Sequence, residues 1–90
     1  MSAAKFLLGH VVSTPGALEF VSHDQMLTAL SRHVRGDWGD MDADDCAENE
    51  RSLKEGLRLF SAYRTRGGIK FWIITEADRS VTTVLLPDEN

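Results

Sequence analysis

Three side chains of this sequence carry the types that metal-free RNA cleavage needs. A base must take the 2′-hydroxyl proton, an acid must protonate the leaving oxygen, and a cation must hold the phosphate. His33 stands between Arg32 and Arg35, where an imidazole could move a proton beside two anion-binding guanidinium groups. Arg64 and Glu76 fall on segments patterned as neighbouring strands, with Tyr63 and Arg79 beside them. His33, Arg64 and Glu76 are therefore the candidate catalytic set. The plainer reading of His33 is a cation at the carbonyl end of a helix.

A second set is suited to recognition. Residues 37–50 hold Asp37, Asp40, Asp42, Asp44, Asp45, Glu48 and Glu50, half of the fourteen acids, and no base. Residues 51–79 hold seven bases against three acids, so the 90-residue chain, of net charge −4, is bipolar along its length. Asp37, Trp38, Asp40, Asp42, Asp44, Asp45 and Glu48 are the expected partner-binding residues: a negative patch with an aromatic anchor, docking on a basic protein surface. The same residues have a structural use. The acids complement the positive end of a helix dipole, and Trp38 can plug a helix junction. The acidic balance argues against bulk attraction to nucleic acid or to a membrane surface. Direct DNA binding would need the bases of residues 51–79 to share one face.

Other chemistries lack their residues. There is no phosphate-cradling GxxxxGK[ST], no GxGxxG after a strand, no HExxH and no GxSxG. His10, His23 and His33 are far apart in sequence, and Cys46 is the only cysteine, so a multi-thiolate metal site within one chain is excluded. Cys46 lies among acids, which raise a thiol pKa and make it a poor nucleophile. No cofactor and no metal are expected. The apolar runs are too short to span a bilayer. Residues 1–10 hold one base and a short apolar stretch, which does not read as a signal peptide, so the expected location is the cytoplasm.

The elements that must position these residues are legible from period and punctuation. Residues 6–13 alternate as a strand. Thr14 and Pro15 can cap and open a single helical turn over 15–20. Ser22 and Gln25 form a capping box, Val21 and Met26 a staple, and Leu27, Leu30 and Val34 the buried stripe of a helix that Gly36 stops. After a loop at 36–40, a second helix begins near Asp42 with Asp44 and Asp45 in its first turn. Its stripe is thin: Ala43, Cys46 or Ala47, Leu53 and Leu57. Asn49 is expected to hydrogen-bond to the loop and fix it. Gly56 ends this helix. Strands follow at 59–65, 69–76 and 81–86, the first two joined by a turn with Gly67 and Gly68. The strand at 69–76 is apolar on both faces, which predicts a central position.

The segments RHVRGDWGD (32–40), NERSLKEG (49–56), LFSAYR (59–64) and WIITEADRSVTTVLLP (72–87) together resemble a family of small bacterial proteins encoded on plasmids and integrated elements. Its members are called plasmid-related protein or type I restriction endonuclease subunit M. The likeness runs from about Gly9 to the end. It implies a setting, mobile elements in conflict with host defence, and no catalytic residue. The chain has no glycine-rich cofactor loop and no Asn-Pro-Pro or Asp-Pro-Pro segment, which base methylation by a modification subunit would need.

The expectation is a single α+β domain, two helices packed on an antiparallel sheet of about four strands in the order β-α-α-β-β-β. Its expected role is that of a non-enzymatic interaction module of a mobile element, binding a nucleic-acid-handling or host-defence protein. The alternative is a small metal-free ribonuclease of the barnase or RelE-like type.

Overall fold

A computed structural model describes residues 4–90; residues 1–3, where the amino-terminal reading starts, lie outside them. The elements are β1 (His10–Ser13), α1 (Pro15–Phe20), α2 (His23–Val34), α3 (Ala43–Glu55), β2 (Leu59–Arg64), β3 (Lys70–Thr75) and β4 (Val81–Leu85), closed by a 3-10 turn over Pro87–Glu89. The four strands form one sheet in the order β1-β4-β3-β2. This is an α+β fold with β3 central, as its two apolar faces imply. Two details differ from expectation. The helical turn expected over 15–20 forms with those bounds and is a six-residue helix in its own right, giving three helices among the described residues where two were expected. The sheet is also mixed: β2, β3 and β4 are antiparallel, but β1 runs parallel to β4. Alternation along a strand is the same for either pairing direction, so the sequence pattern does not fix β1. The helical layer between β1 and the meander supplies the long connection that parallel pairing requires.

The first strand is shorter than the alternation from Phe6 suggests. Gly9 has φ +65°, and a Cβ there would strike the carbonyls of Arg79 and Ser80. The chain crosses close over the β3–β4 turn at that point, and regular pairing starts only at His10. The strand is only four residues long, ending at Ser13 before Thr14 and Pro15 open α1, which keeps this sheet edge short.

Register divides the sheet residues cleanly. Ser61, Tyr63, Phe71, Ile73, Thr75, Thr82 and Val84 share one face, because alternate residues of each strand point the same way. Helices α1 and α2 cover that face. Ala17, Val21, Met26, Ala29 and Leu30 pack with Tyr63, Phe71, Ile73 and Val84 into the main core. The buried stripe of α2 is thus Met26, Ala29, Leu30 and His33, whereas Leu27 is exposed. His33 fills the place in the i, i+3, i+4, i+7 series that an apolar residue would normally take. The opposite face presents Phe60, Trp72, Ile74, Thr83 and Leu85. Phe60 and Trp72 lie 4.8 Å apart in a tilted ring contact, and the final 3-10 turn contacts β3.

Capping sets the helix ends. Ser22 Oγ accepts from the Gln25 N–H at 3.2 Å. The reciprocal half of the box is absent, because the side-chain oxygen Oε1 of Gln25 accepts from Arg66 N–H instead, at 2.8 Å. Asp42 caps α3, its carboxylate accepting from Asp45 N–H at 2.8 Å. Asp42→Ala is expected to lower stability by about 1 kcal/mol in urea titration, with Asp42→Ser restoring most of it. Gly56 closes α3 in the left-handed conformation, φ 70°.

Candidate functional site

His33 is wholly enclosed, 0% exposed. Its ring touches Phe6 edge-on at 5.1 Å and Trp38 at 5.8 Å. A chain of hydrogen bonds fixes its tautomer. The Leu8 carbonyl can only accept, so Thr82 donates to it at 2.7 Å. Thr75 must then donate to Thr82 at 2.8 Å. With its one proton spent, Thr75 accepts from Nε2–H of His33 at 2.9 Å. The lone pair on Nδ1 is left to accept from the Ser61 hydroxyl. Burial, helped by the nearby Arg79 charge, pushes the imidazole down to about 4.

The expected catalytic set is not assembled. Arg64 is exposed and paired with Asp40 at 3.0 Å. Glu76 lies 3.6 Å from Arg58. Neither approaches a solvent-facing imidazole, because His33 faces inward onto the sheet. Its flanking arginines suggested a helix-end cation; its spacing from Met26 and Ala29 placed it in the core. Arg79 has a structural post as well. It adopts φ 61°, and its guanidinium donates to the carbonyls of Leu57 (2.6 Å), Glu76 (3.1 Å), Ala77 (3.2 Å) and Ser52 (3.3 Å). This clamps the end of α3 to the β3–β4 turn.

The acidic segment is largely engaged within the molecule. Asp37 accepts two bonds from Arg32, at 2.8 and 3.2 Å, which hold its carboxyl below the usual carboxylate range. Asp40 pairs with Arg64, Glu48 with Arg51, and Asp42 is the cap of α3. Asp44 and Asp45 are exposed, with no ion pair among the described residues. Trp38 is a correction: it is 4% exposed, not a surface anchor. It stacks with Phe6 and donates Nε1–H to Glu50 at 2.9 Å. Tyr63 O–H donates to the Asp37 carbonyl at 2.6 Å, and burial pushes that phenol up to about 12.

The loop that carries Trp38 closes the β2 edge. Ala62 N–H donates to the Trp38 carbonyl at 3.1 Å, and Asp40 N–H donates to the Ala62 carbonyl at 2.6 Å. Gly39 is required between them. Its φ is +78°, and a Cβ would occupy the place of the Ala62 carbonyl. Two residues earlier on the same edge, Asn49 does the work of a strand. Its amide donates to the Phe60 carbonyl at 2.6 Å and accepts from Phe60 N–H at 3.1 Å. Asn49 therefore fixes β2, not the loop as expected. This explains why the buried residues of α3 are Asn49 and Ser52, and why its apolar stripe reads thin: the helix packs on backbone.

No protein-family model, curated protein or solved structure matches the chain. The geometry must carry the functional reading.

Two clefts flank β2. One, of about 260 Å³, lies between α3 and β2. Met41 and Phe60 give it an apolar floor, and Asp45 and Glu48 line its acidic side, opposite Arg58. The nearly buried Ser52 also lines it. The other lies between α2 and the β2–β3 hairpin. Among the described residues no cluster of His, Cys, Asp and Glu is placed to hold a metal, and no helix is long and apolar enough to cross a membrane.

Proposed function

We propose that this protein is a non-enzymatic interaction module that captures a basic segment of a partner protein in the cleft between α3 and β2. The observation that carries this reading is the composition of that cleft. Its floor is apolar, and its acidic side continues into the exposed carboxylates of Asp44 and Asp45. Such a site suits a lysine or arginine presented on an apolar stretch, whose methylenes would cover Met41 and Phe60 while the charge reaches the carboxylates. The Ser52 hydroxyl in its wall offers one directional contact. Asp37, Asp40, Asp42 and Glu48 act through the scaffold, because intramolecular partners occupy them, which leaves Asp44 and Asp45 to meet the partner's charge. The resemblance to mobile-element proteins supplies a setting in which the partner is a nucleic-acid-handling or host-defence protein with a basic surface. The ribonuclease alternative lacks comparable support, since His33 is enclosed and stands apart from Arg64 and Glu76.

Selection from a displayed peptide library against the full chain tests this. The expected consensus is basic and apolar, with affinity falling as salt rises. The double variant Asp44→Lys, Asp45→Lys should bind the selected peptide at least about tenfold more weakly, as loss of charge-assisted contacts implies. An acidic or neutral consensus, or unchanged binding by the variant, would refute the proposal.

A further inference from the structure

The sheet protects its two edges unequally. At the β2 edge, the Trp38–Asp40 loop and Asn49 occupy the backbone of Ala62 and Phe60. The β1 edge has no such cover. His10 and Thr14 turn their N–H groups inward, to the carbonyls of Ser80 and Val84. Backbone groups alternate along a strand, so Val11 and Ser13 turn both N–H and C=O outward. Neither has a backbone partner on that side among the described residues. Edges are commonly blunted by a charge or a bulge. Here the register with β4 is unbroken, and no Asp, Glu, Lys or Arg stands between Phe6 and Leu18. Shortness is the strand's only protection.

Apolar surface gathers at the same edge. Of the eight large hydrophobic side chains left exposed among the described residues, five belong to residues 7–20. Val11 shares the helix-covered face with its register partner Thr82, and Val12 shares the opposite face with Thr83. They are 44% and 47% exposed, so each face of the sheet ends on a β-branched residue without an outer neighbour. Helix α1 contacts β4 and carries Leu18 and Phe20, both more than half exposed.

We propose that this edge binds a second copy of the chain, β1 pairing antiparallel with the partner's β1 about a two-fold axis at Val12. The two sheets then join into one. The outward groups are self-complementary in this register: Val11 exchanges both backbone bonds with the partner's Ser13, and Ser13 does so with the partner's Val11. A slip one way sets Val11 against Pro15, which has no N–H. A slip the other way sets Ser13 against Gly9, where the chain crosses over Arg79 and Ser80. No charge opposes the match, and the axis leaves both α1 helices on one face of the joined sheet. Val11, Val12, Leu18 and Phe20 together expose roughly 400 Å² of apolar surface per protomer, about half of what each side of a standard interface buries. Association is therefore weak, on the order of 10–100 μM. It closes at two copies, because the β2 edge is occupied.

Sedimentation equilibrium of the full chain over about 1–500 μM tests this, with amide hydrogen exchange at both ends of the range. A monomer–dimer equilibrium is expected. Protection should rise several-fold with concentration at Val11 and Ser13, and not at His10 and Val12, which already donate inward. Val12→Lys sets two ammonium groups opposite each other on the axis and should weaken association at least about tenfold. The position is exposed, so the monomer tolerates the change. Val12→Cys, combined with Cys46→Ser, should form an interchain disulfide on air oxidation, since non-hydrogen-bonded partners lie about 4.5 Å apart at Cα. Val11→Cys in the same background should not, because it faces the partner's Ser13. Asp44→Lys with Asp45→Lys should leave association unchanged, which separates this contact from the acidic cleft. A chain that stays monomeric, with no concentration-dependent protection, would overturn the second copy and leave the edge to a strand of a different protein. Association indifferent to Val12→Lys, or equal cross-linking by both cysteine variants, would place the contact elsewhere and overturn the proposal.

Discussion

Lowering the pH from 7 to 4 is expected to cost this protein about 3 kcal/mol through His33 alone. Folding depresses its imidazole from 6.5 to about 4, and each tenfold loss of proton affinity is worth about 1.4 kcal/mol. Between those values the unfolded chain binds a proton that the folded chain refuses. Stability therefore falls as pH drops through 6.5, and the loss levels off below about 4. The refusal has a structural cause. Nε2 already donates along the Thr75–Thr82–Leu8 relay, so a second proton must enter at Nδ1 and reverse the Ser61 hydroxyl. No carboxylate accompanies the charge, and Arg79 opposes it. Carboxylates with depressed values, such as Asp37, lose their contribution at lower pH, as they protonate, so the windows separate. Urea titrations at pH 7, 5.5 and 4 give the measurement. His33→Gln, polar but without a proton to take up, should start less stable and lose the extra slope between pH 6.5 and 4. An equal slope in both proteins, or a ring that titrates near 6.5 by NMR, would contradict the enclosed neutral imidazole.

The same residue shows where sequence reasoning runs out. The helix ends were legible because caps are local chemistry. Ser22, Gly36, Asp42 and Gly56 act through backbone groups within a turn, and each does so here. The central place of β3 was legible because apolar residues on both faces need cover on both sides. The His33 role was not legible: the stripe read from the sequence was Leu27, Leu30 and Val34, and the flanking arginines drew His33 toward solvent, whereas the buried stripe runs through Met26, Ala29, Leu30 and His33. The acidic run misled for a related reason. Charge counting cannot tell which carboxylates a fold will engage, and Arg32, Arg64 and Arg51 take three of them from positions 5, 24 and 3 residues away. Both clefts join elements distant in sequence, so no local motif announces either. Ser52 and Asn49, three apart in a helix poor in apolar residues, were the available sign that α3 packs against polar backbone.

Asn49→Ala is expected to lower stability by about 2–3 kcal/mol and to promote self-association, although it removes only one small side chain. The amide of Asn49 supplies one donor and one acceptor to Phe60, the pair that a neighbouring strand would supply. Truncation leaves both Phe60 backbone groups without a partner at a half-buried edge, and each such loss costs about 1–3 kcal/mol where water cannot fully replace it. The edge is then open between the Trp38–Asp40 loop and the end of α3, a template for a second chain. Sedimentation velocity should show concentration-dependent species in the variant that are larger than the parent's at the same concentration. Asn49→Asp separates hydrogen bonding from packing. At neutral pH the carboxylate still accepts from Phe60 N–H but faces the Phe60 carbonyl with no donor, so the variant should be at least as unstable as Asn49→Ala. Acid should narrow its gap to the parent, because a protonated carboxyl regains the donor. Comparing the two proteins at each pH cancels the His33 contribution. If the gap stayed constant with pH, Asn49 would matter through shape alone. Register between α3 and β2 also sets the distance from Asp45 to Phe60 across the acidic cleft, so Asn49→Ala should weaken peptide capture even in the fraction that remains folded.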